Sequence, residues 1–380
     1  MLYYLFPTSN PESVVWPSYA RWIQWLTYLW LAVGLIILLS ASYPSAITDF
    51  GDGLYYVKRQ LLWVLLGIIE FNILIRVPIA QTMRIAPTGL LVGLILIMLT
   101  LVKSIGISVN GASRWIAIGP ILIQPSEIIK PFLILQAGYI FASWKNMAWK
   151  VRSFWLCFFG LIVVGILLQP NLSTATLCGF TLWLIALAGD IPLFYLGGVS
   201  VTGLVMGLIS LGAREYQRQR IITFINPWAD PTNKGYQLVQ SLLAVGSGGW
   251  IGTGLGLSQQ KLCYLPIQYT DFIFAVIVEE FGLIGGLVII FLFSILIFGV
   301  IKTSIKSLEL GKLFQGLIAF GVGILIAIQA IFNIGVNLGI LPTKGLTLPF
   351  ISYGGTSLIL FMFLMGMVLR INFENNTIKQ

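Results

Sequence analysis

Histidine is missing from this chain altogether. Its absence removes the commonest general base and the commonest metal ligand, so acid–base chemistry would fall to carboxylates. Charge is scarce as well: 9% of the 380 residues are Asp, Glu, Lys or Arg, while 58% are hydrophobic. A soluble domain carries roughly 25% charged residues, because its surface must meet water. A soluble fold of this size has no means of hiding so much apolar surface, so lipid is expected to cover the outside. Cysteine is limited to Cys157, Cys178 and Cys263, in a pattern that suggests neither a disulfide framework nor a metal site. The first twenty residues are mixed, include Pro11 and Pro17, and lack the small-residue cleavage site of a signal peptide. The first apolar helix is therefore expected to stay in the membrane. The net charge of +9 does not point to nucleic acid, because the basic residues are scattered singly between apolar runs rather than gathered on one face. In a membrane protein such an excess chiefly sets orientation, with attraction to an anionic lipid, substrate included, as a second reading.

A membrane-spanning helix needs about twenty mostly apolar residues. About ten such stretches lie near 22–41, 58–76, 85–102, 126–143, 153–169, 172–189, 192–212, 272–300, 313–337 and 351–371. The expected fold is an all-α polytopic membrane protein, one transmembrane domain over 1–380, without an inserted soluble domain. With an inward N-terminus, eleven Lys and Arg fall in the inner short loops and five in the outer ones. The positive-inside rule then places both termini in the cytoplasm. The long segment 213–271, between helices seven and eight, faces outward, and loops of that length without obvious structure are usually functional.

Four connecting segments are unusual. Residues 110–127, NGASRWIAIGPILIQPSE, are too short and broken to span yet too apolar for a plain loop, which suits a re-entrant or interfacial segment. Residues 213–271 run from Arg214, Arg218 and Arg220 through Asn226-Pro227-Trp228 and a glycine cluster at 246–256 to YLPIQYTDF. Residues 337–357 read NLGILPTKGLTLPFISYGGTS, and QPNLSTAT at 169–176 separates helices five and six. The glycines Gly252, Gly254 and Gly256 lack the preceding strand and helix start of a nucleotide loop. They suit close approach of backbone, either to neighbouring backbone or to a ligand.

Of the thirteen carboxylates, most fall in polar loops. Glu127, Asp271, Glu279 and Glu280 lie beside or within apolar helices, where an ionisable group is costly and is a functional hypothesis by default. Asp271 opens helix eight. It is either an acid interacting with the helix dipole or an outward-facing general base. Glu279 and Glu280 follow about 12 Å along the helix and either tune the site or hold the helix through a partner cation. Glu127 and Lys130 share a helix face behind Pro125, as an ion pair or as a phosphate site at the helix start. Arg114 and Lys344 are outer cations, suited to a pyrophosphate clamp or to lipid headgroups.

The motifs NGASRWI, QPSEIIK, NPWADPTNKGYQLVQSLLAVGSGGWIGTGLG, KLCYLP, TDFIFAVIVEEFG and LPTKGLTLPFISYGGTS together resemble the SEDS family of cell-wall polymerases over nearly the whole chain. The division branch (FtsW) fits PTKGLTLPFISYGG and GLGLSQQK better than the elongation (RodA) or sporulation (SpoVE) branches. The resemblance implies a peptidoglycan glycosyltransferase that polymerises lipid II, with undecaprenyl pyrophosphate as leaving group. The family's essential aspartate falls on Asp271, as base for the acceptor 4-hydroxyl, and its acid–lysine pair on Glu127 and Lys130. Arg114, Arg220, Lys344 and Ser352 join these as candidate substrate-binding residues. A divalent cation, Mg or Mn, would suit the leaving pyrophosphate, although no ligand cluster is legible. The implied partners are a class B penicillin-binding protein (an FtsI-like transpeptidase) and other division-site membrane proteins. The implied place is the plasma membrane at the septum, or the inner envelope of a wall-bearing plastid. The chain departs from the family pattern at Asn171, Ser173, Ile267 and Tyr269, which weakens any scheme needing a second acid beside Asp271. The competing readings are a lipid II flippase and a non-catalytic division scaffold.

Overall fold

The computed structural model describes residues 16–102, 104–109, 112–119, 121–213, 215–262, 264–343 and 345–377. The chain is mostly helical: α1 (Ser18–Phe50), α2 (Tyr55–Arg76), α3 (Ile79–Arg84), α4 (Ala86–Leu99), α5 (Pro125–Ala142), α6 (Trp149–Leu168), α7 (Leu172–Ala188), α8 (Leu193–Ala213), α9 (Glu215–Ile225), α10 (Tyr236–Ser247), α11 (Ile273–Glu309), α12 (Leu313–Asn337) and α13 (Gly355–Asn376). A helix overlaps most of each of the ten apolar stretches. Among the described residues, six helices are long and apolar enough to cross a membrane, and α4 and α7 are shorter apolar helices.

Two expectations need correction. The chain is not wholly α: β1 (Gly106–Val109), β2 (Ala112–Ile118) and β3 (Ile121–Ile123) form an antiparallel sheet in that order. On β2 buried Ile116 lies between half-buried Trp115 and exposed Ala117, and β-branched and aromatic residues suit a strand. The long segment 213–271 is not structureless either, since it folds into α9, a 3-10 turn at Pro227–Ala229 and α10 before reaching Asp271.

The core lies around α12 and α13, whose apolar windows are 67% and 72% buried, whereas that of α8 is 6% buried and so lies at the periphery. On α2 the buried face is Gln60, Val64, Gly67, Phe71 and Leu74, and the outward face carries exposed Leu61, Leu62, Leu65, Ile69 and Ile73. These outward residues are all Leu or Ile, as lipid surroundings allow, and the buried face carries the polar Gln60 and the small Gly67. Gly67 meets Met362, and Gly366 meets Leu74 and the Phe71 carbonyl, so α2 and α13 approach closely through small residues.

α11 is broken at Gly282, whose φ is 69° and ψ −172°. A break in an apolar helix frees backbone groups that must find partners. The glycine cluster supplies them. The Thr253 and Gly254 N–H groups donate to the Glu279 and Glu280 carbonyls, both at 2.9 Å, and the Leu283 and Ile284 N–H groups donate to the Gly249 and Trp250 carbonyls at 2.9 and 3.2 Å. A β-carbon on Gly252 would stand 2.2 Å from the Glu280 oxygen, and one on Gly282 would stand 2.3 Å from the Trp250 oxygen. These glycines serve tight backbone packing.

Candidate active site

Asp271 lies at the end of a turn-rich segment, just ahead of α11. Two asparagines one turn apart on α12 fix its backbone: Asn333 Nδ2 donates to the Asp271 carbonyl at 2.9 Å, and Asn337 Nδ2 donates at 3.0 Å. Asn337 Oδ1 accepts the Ala275 N–H at 2.9 Å. That contact satisfies a donor in the first turn of α11, which otherwise needs a capping group. The α11 N-cap position is Phe272, and it makes no side-chain cap. Capping by Asn337 therefore leaves the Asp271 carboxylate free of the helix-start duty that its sequence position suggested.

The carboxylate lines a cavity of about 430 Å³ together with Gln219, Arg220, Lys234, Ile267 and Thr343. Burial raises its pKa to about 6, and the Arg220 and then the Arg114 guanidinium hold it back from rising further. A carboxylate so placed is mostly ionised at neutral pH yet more basic than a free one, as a general base requires. Arg220 Nη1 donates to the Thr343 carbonyl at 3.0 Å, which ties α9 to the segment before α13. Arg114, on β2 beside buried Ile116, donates from Nε to the Gln169 carbonyl at 3.3 Å and from Nη2 to the Pro170 carbonyl. Gly345 lies against both charges: a β-carbon there would stand 3.2 Å from Asp271 Oδ2 and 4.0 Å from Arg114 Nη1.

The structure thus gathers Asp271, Arg220 and Arg114. Lys344 lies outside the described residues. Glu127, Lys130 and Ser352 are not among the cavity walls. Lys130 Nζ donates to Glu127 Oε1 at 2.5 Å and to Gln329 Oε1 at 3.3 Å, with both charged side chains buried. Gln329 Nε2 in turn donates to the Thr347 carbonyl at 3.0 Å. Ser352 Oγ donates to the Thr270 carbonyl at 2.6 Å and accepts the Leu348 N–H at 2.8 Å. These residues brace the segments that flank Asp271. Asn171 caps α7, accepting the Thr174 N–H at 3.3 Å, a duty that Asp and Asn perform equally well. Among the described residues no three His, Cys, Asp or Glu side chains gather as a metal-binding group. The charged neighbours of Asp271 are cations, so this donor set does not fit a divalent ion.

Sequence reasoning missed Asn333 and Asn337. Two amides one turn apart in the apolar run IFNIGVN were the available signal, since polar groups in such helices find hydrogen-bond partners on neighbouring elements.

Residues 21–377 match the family model described as cell cycle protein, FtsW/RodA/SpoVE. The chain is 55% identical over 372 residues to the putative peptidoglycan glycosyltransferase FtsW of Mesostigma viride, covering 98% of this chain and 88% of that one. It is 46% identical over 376 residues to the probable peptidoglycan glycosyltransferase FtsW of Synechocystis sp., covering 99% and 95%. Among solved structures it resembles a chain of a peptidoglycan synthase complex that coordinates polymerization and crosslinking, with TM-score 0.74, 26% identity and coverage of 93% and 97%. It also shares the fold of Thermus thermophilus RodA, with TM-score 0.68, 24% identity and coverage of 95% and 98%.

Proposed function

Because the chain belongs to the FtsW/RodA/SpoVE family of cell cycle proteins, we propose that it is a peptidoglycan glycosyltransferase of the division type. It polymerises lipid II into glycan strands. The observation that carries this reading is the Asp271 carboxylate on a cavity wall that Arg220 shares, with Arg220 and Arg114 near enough to act on its charge.

Asp271 takes the proton from the 4-hydroxyl of the acceptor sugar. The freed oxygen forms a bond to the anomeric carbon of the growing strand, and the bond from that carbon to the lipid pyrophosphate breaks with its electron pair passing to the phosphate oxygen. A positioned base is worth about 10²–10⁴ in rate for such a step. Arg220, Arg114 and Lys344 stabilise the charge developing on the pyrophosphate. Glu127, Lys130 and Ser352 keep the surrounding segments in place. The ten apolar stretches span the plasma membrane at the division septum, or the inner envelope membrane of a plastid that keeps a wall. The segment 213–271 then lies on the outer side, and a class B penicillin-binding protein crosslinks the product alongside other division proteins.

The test is polymerisation of purified lipid II by the full chain with its penicillin-binding partner. Wild type is expected to make strands, and Asp271→Asn almost none while still folding and binding the partner. Full polymer from the Asn variant would sink the catalytic assignment. Transbilayer movement of lipid II without polymer would favour a flippase.

A further inference from the structure

The stretch 258–271 ends on Asp271 and contains neither helix nor strand among its described residues. Its turns close locally, with the Leu262 and Leu265 N–H groups donating to the Gln259 and Gln260 carbonyls and Thr270 N–H to the Ile267 carbonyl, and contacts from outside hold them in place. Ile267 shows that outside hold most plainly: its φ is 57°, a left-handed conformation that a β-branched residue holds only where its surroundings over-determine it. Ile267 and Pro266 in turn form cavity wall beside Asp271.

The constraint comes from two adjacent buried carboxylates at the break in α11. Glu279 Oε1 accepts the N–H groups of Gln259 and Gln260 at 2.8 and 3.3 Å, and its Oε2 accepts the Ser258 hydroxyl at 2.5 Å. Glu280 Oε1 accepts from Lys261 Nζ at 2.6 Å and from Ser40 Oγ at 2.6 Å, while Lys261 Nζ also donates to Ser40 Oγ at 2.8 Å. The triangle joins α1, the loop and α11, and its Lys and Glu side chains are 5% and 2% exposed. Further along, Gln268 Nε2 donates to Ser45 Oγ on α1 at 2.6 Å and to the Lys261 carbonyl at 3.3 Å. The chain therefore closes a ring. It leaves the clamp at 258–261, passes through Asp271, enters the first half of α11 and returns to the clamp at Glu279 and Glu280.

A buried ion pair adds little net stability, because desolvation offsets its Coulombic gain; fixing one arrangement among several is its better-supported use. We propose that Lys261, Glu280 and Ser40 form a positioning device for Asp271, holding the loop so that the carboxylate stays between Arg220 and Arg114. The proposal rests on the reading of Asp271 as the base. None of the three residues touches the reacting atoms.

The test uses the full chain with its partner. Glu280→Gln is one variant. Lys261→Met with Glu280→Met is the second, because it fills the same space without leaving a charge buried and so guards against simple unfolding. In both, hydrogen exchange across 258–271 is expected to rise, and kcat to fall about 10–100-fold with KM within about twofold, the scale of a base displaced by about 1 Å. The acid limb of kcat is expected to move up by about half a pH unit or more as the carboxylate leaves its arginines. In the double variant these changes are expected with a thermal midpoint near wild type. Wild-type kcat and pH profile in the double variant, or unchanged exchange across 258–271, would overturn the positioning role while leaving Asp271→Asn inactive. Activity in Asp271→Asn would instead overturn the base itself.

Discussion

Arg220 is the sharpest lever on the proposed chemistry, because it acts on the base through charge and lies on the same cavity wall. Burial pushes the Asp271 carboxyl up to about 6, and Arg220 is the strongest of the cations that oppose the rise. Arg220→Gln removes that charge, keeps a polar side chain at the cavity wall, and gives up the contact of Arg220 Nη1 with the Thr343 carbonyl at 3.0 Å. A nearby opposite charge lowers a carboxyl pKa by about 1–3 units. Arg220 faces an open cavity and is only partly buried, so the smaller figure applies. The midpoint should then move from about 6 to about 7. The sign follows from the chemistry: the base works only as the anion, a cation favours the anion, and its loss shifts the acid limb to higher pH. At pH 7 the ionised fraction falls from about nine-tenths to about one-half, a twofold effect that vanishes near pH 8.5. If Arg220 also stabilises the departing pyrophosphate, the plateau drops as well, by about 10²–10³ for one lost donor. Initial rates of lipid II polymerisation from pH 5 to 9 separate the two effects, one in the midpoint and the other in the plateau. A wild-type midpoint far from 6, or a variant midpoint at or below that of wild type, would refute the reasoning.

Three further substitutions probe the supports. Gly345→Val places a side chain against the carboxylate, since the first added carbon already stands 3.2 Å from Asp271 Oδ2; at least about a tenfold loss of kcat is expected, and wild-type turnover would contradict the placement. Asn337→Ala strips one hydrogen bond from the Asp271 carbonyl and one from the Ala275 N–H, while Asn333 still serves the carbonyl and the Phe272 carbonyl still accepts the N–H. Each lost bond is worth about 0.5–1.5 kcal/mol net, to be seen as a lower thermal midpoint by tryptophan fluorescence, with an unchanged midpoint as the refuting result. Gly282→Ala drives a β-carbon to 2.3 Å from the Trp250 oxygen at a φ of 69°, and should reduce the folded fraction on size exclusion in detergent. A well-folded, fully active alanine variant would disprove the backbone-to-backbone packing.

The helices were legible because each apolar run is long and the breaks between them carry Pro, Gly or charge. The sheet at 106–123 was legible in principle too. Asn110-Gly111 is a strong hairpin signal and Gly119-Pro120 marks a second turn, yet apolar density in a membrane protein favoured a re-entrant reading. Elimination among the thirteen carboxylates left four, Glu127, Asp271, Glu279 and Glu280, and the resemblance to the SEDS family singled out Asp271. Its supports were not legible in the same way. Lys261 and Glu280 are distant from Ser40 in the sequence, and no local periodicity links them. The same holds for Asn333 and Asn337, whose partner is a backbone carbonyl on another element. The break in α11 was hidden because Gly282 sits in an otherwise continuous apolar run, where helix period and hydropathy both read straight through.

The missing histidine bears on how many groups the reaction needs. Tyr269 stands just before Thr270-Asp271, and its hydroxyl pairs with that of Tyr56 at 2.9 Å. Burial raises the Tyr269 pKa above its ordinary value of 10.0, so it stays a neutral phenol and cannot serve as a base near neutral pH. Glu279 and Glu280 are consumed by the clamp, and Glu127 by Lys130. Among these carboxylates, Asp271 is left for the proposed role of base. Hydrolysis of a glycosidic bond needs two carboxylates, because its sugar leaving group must be protonated. A pyrophosphate leaves as an anion and needs cations instead, and cations are what flank Asp271. One carboxylate with two arginines nearby therefore suits the proposed glycosyl transfer from a lipid pyrophosphate better than the usual two-carboxylate cleavage of a glycan.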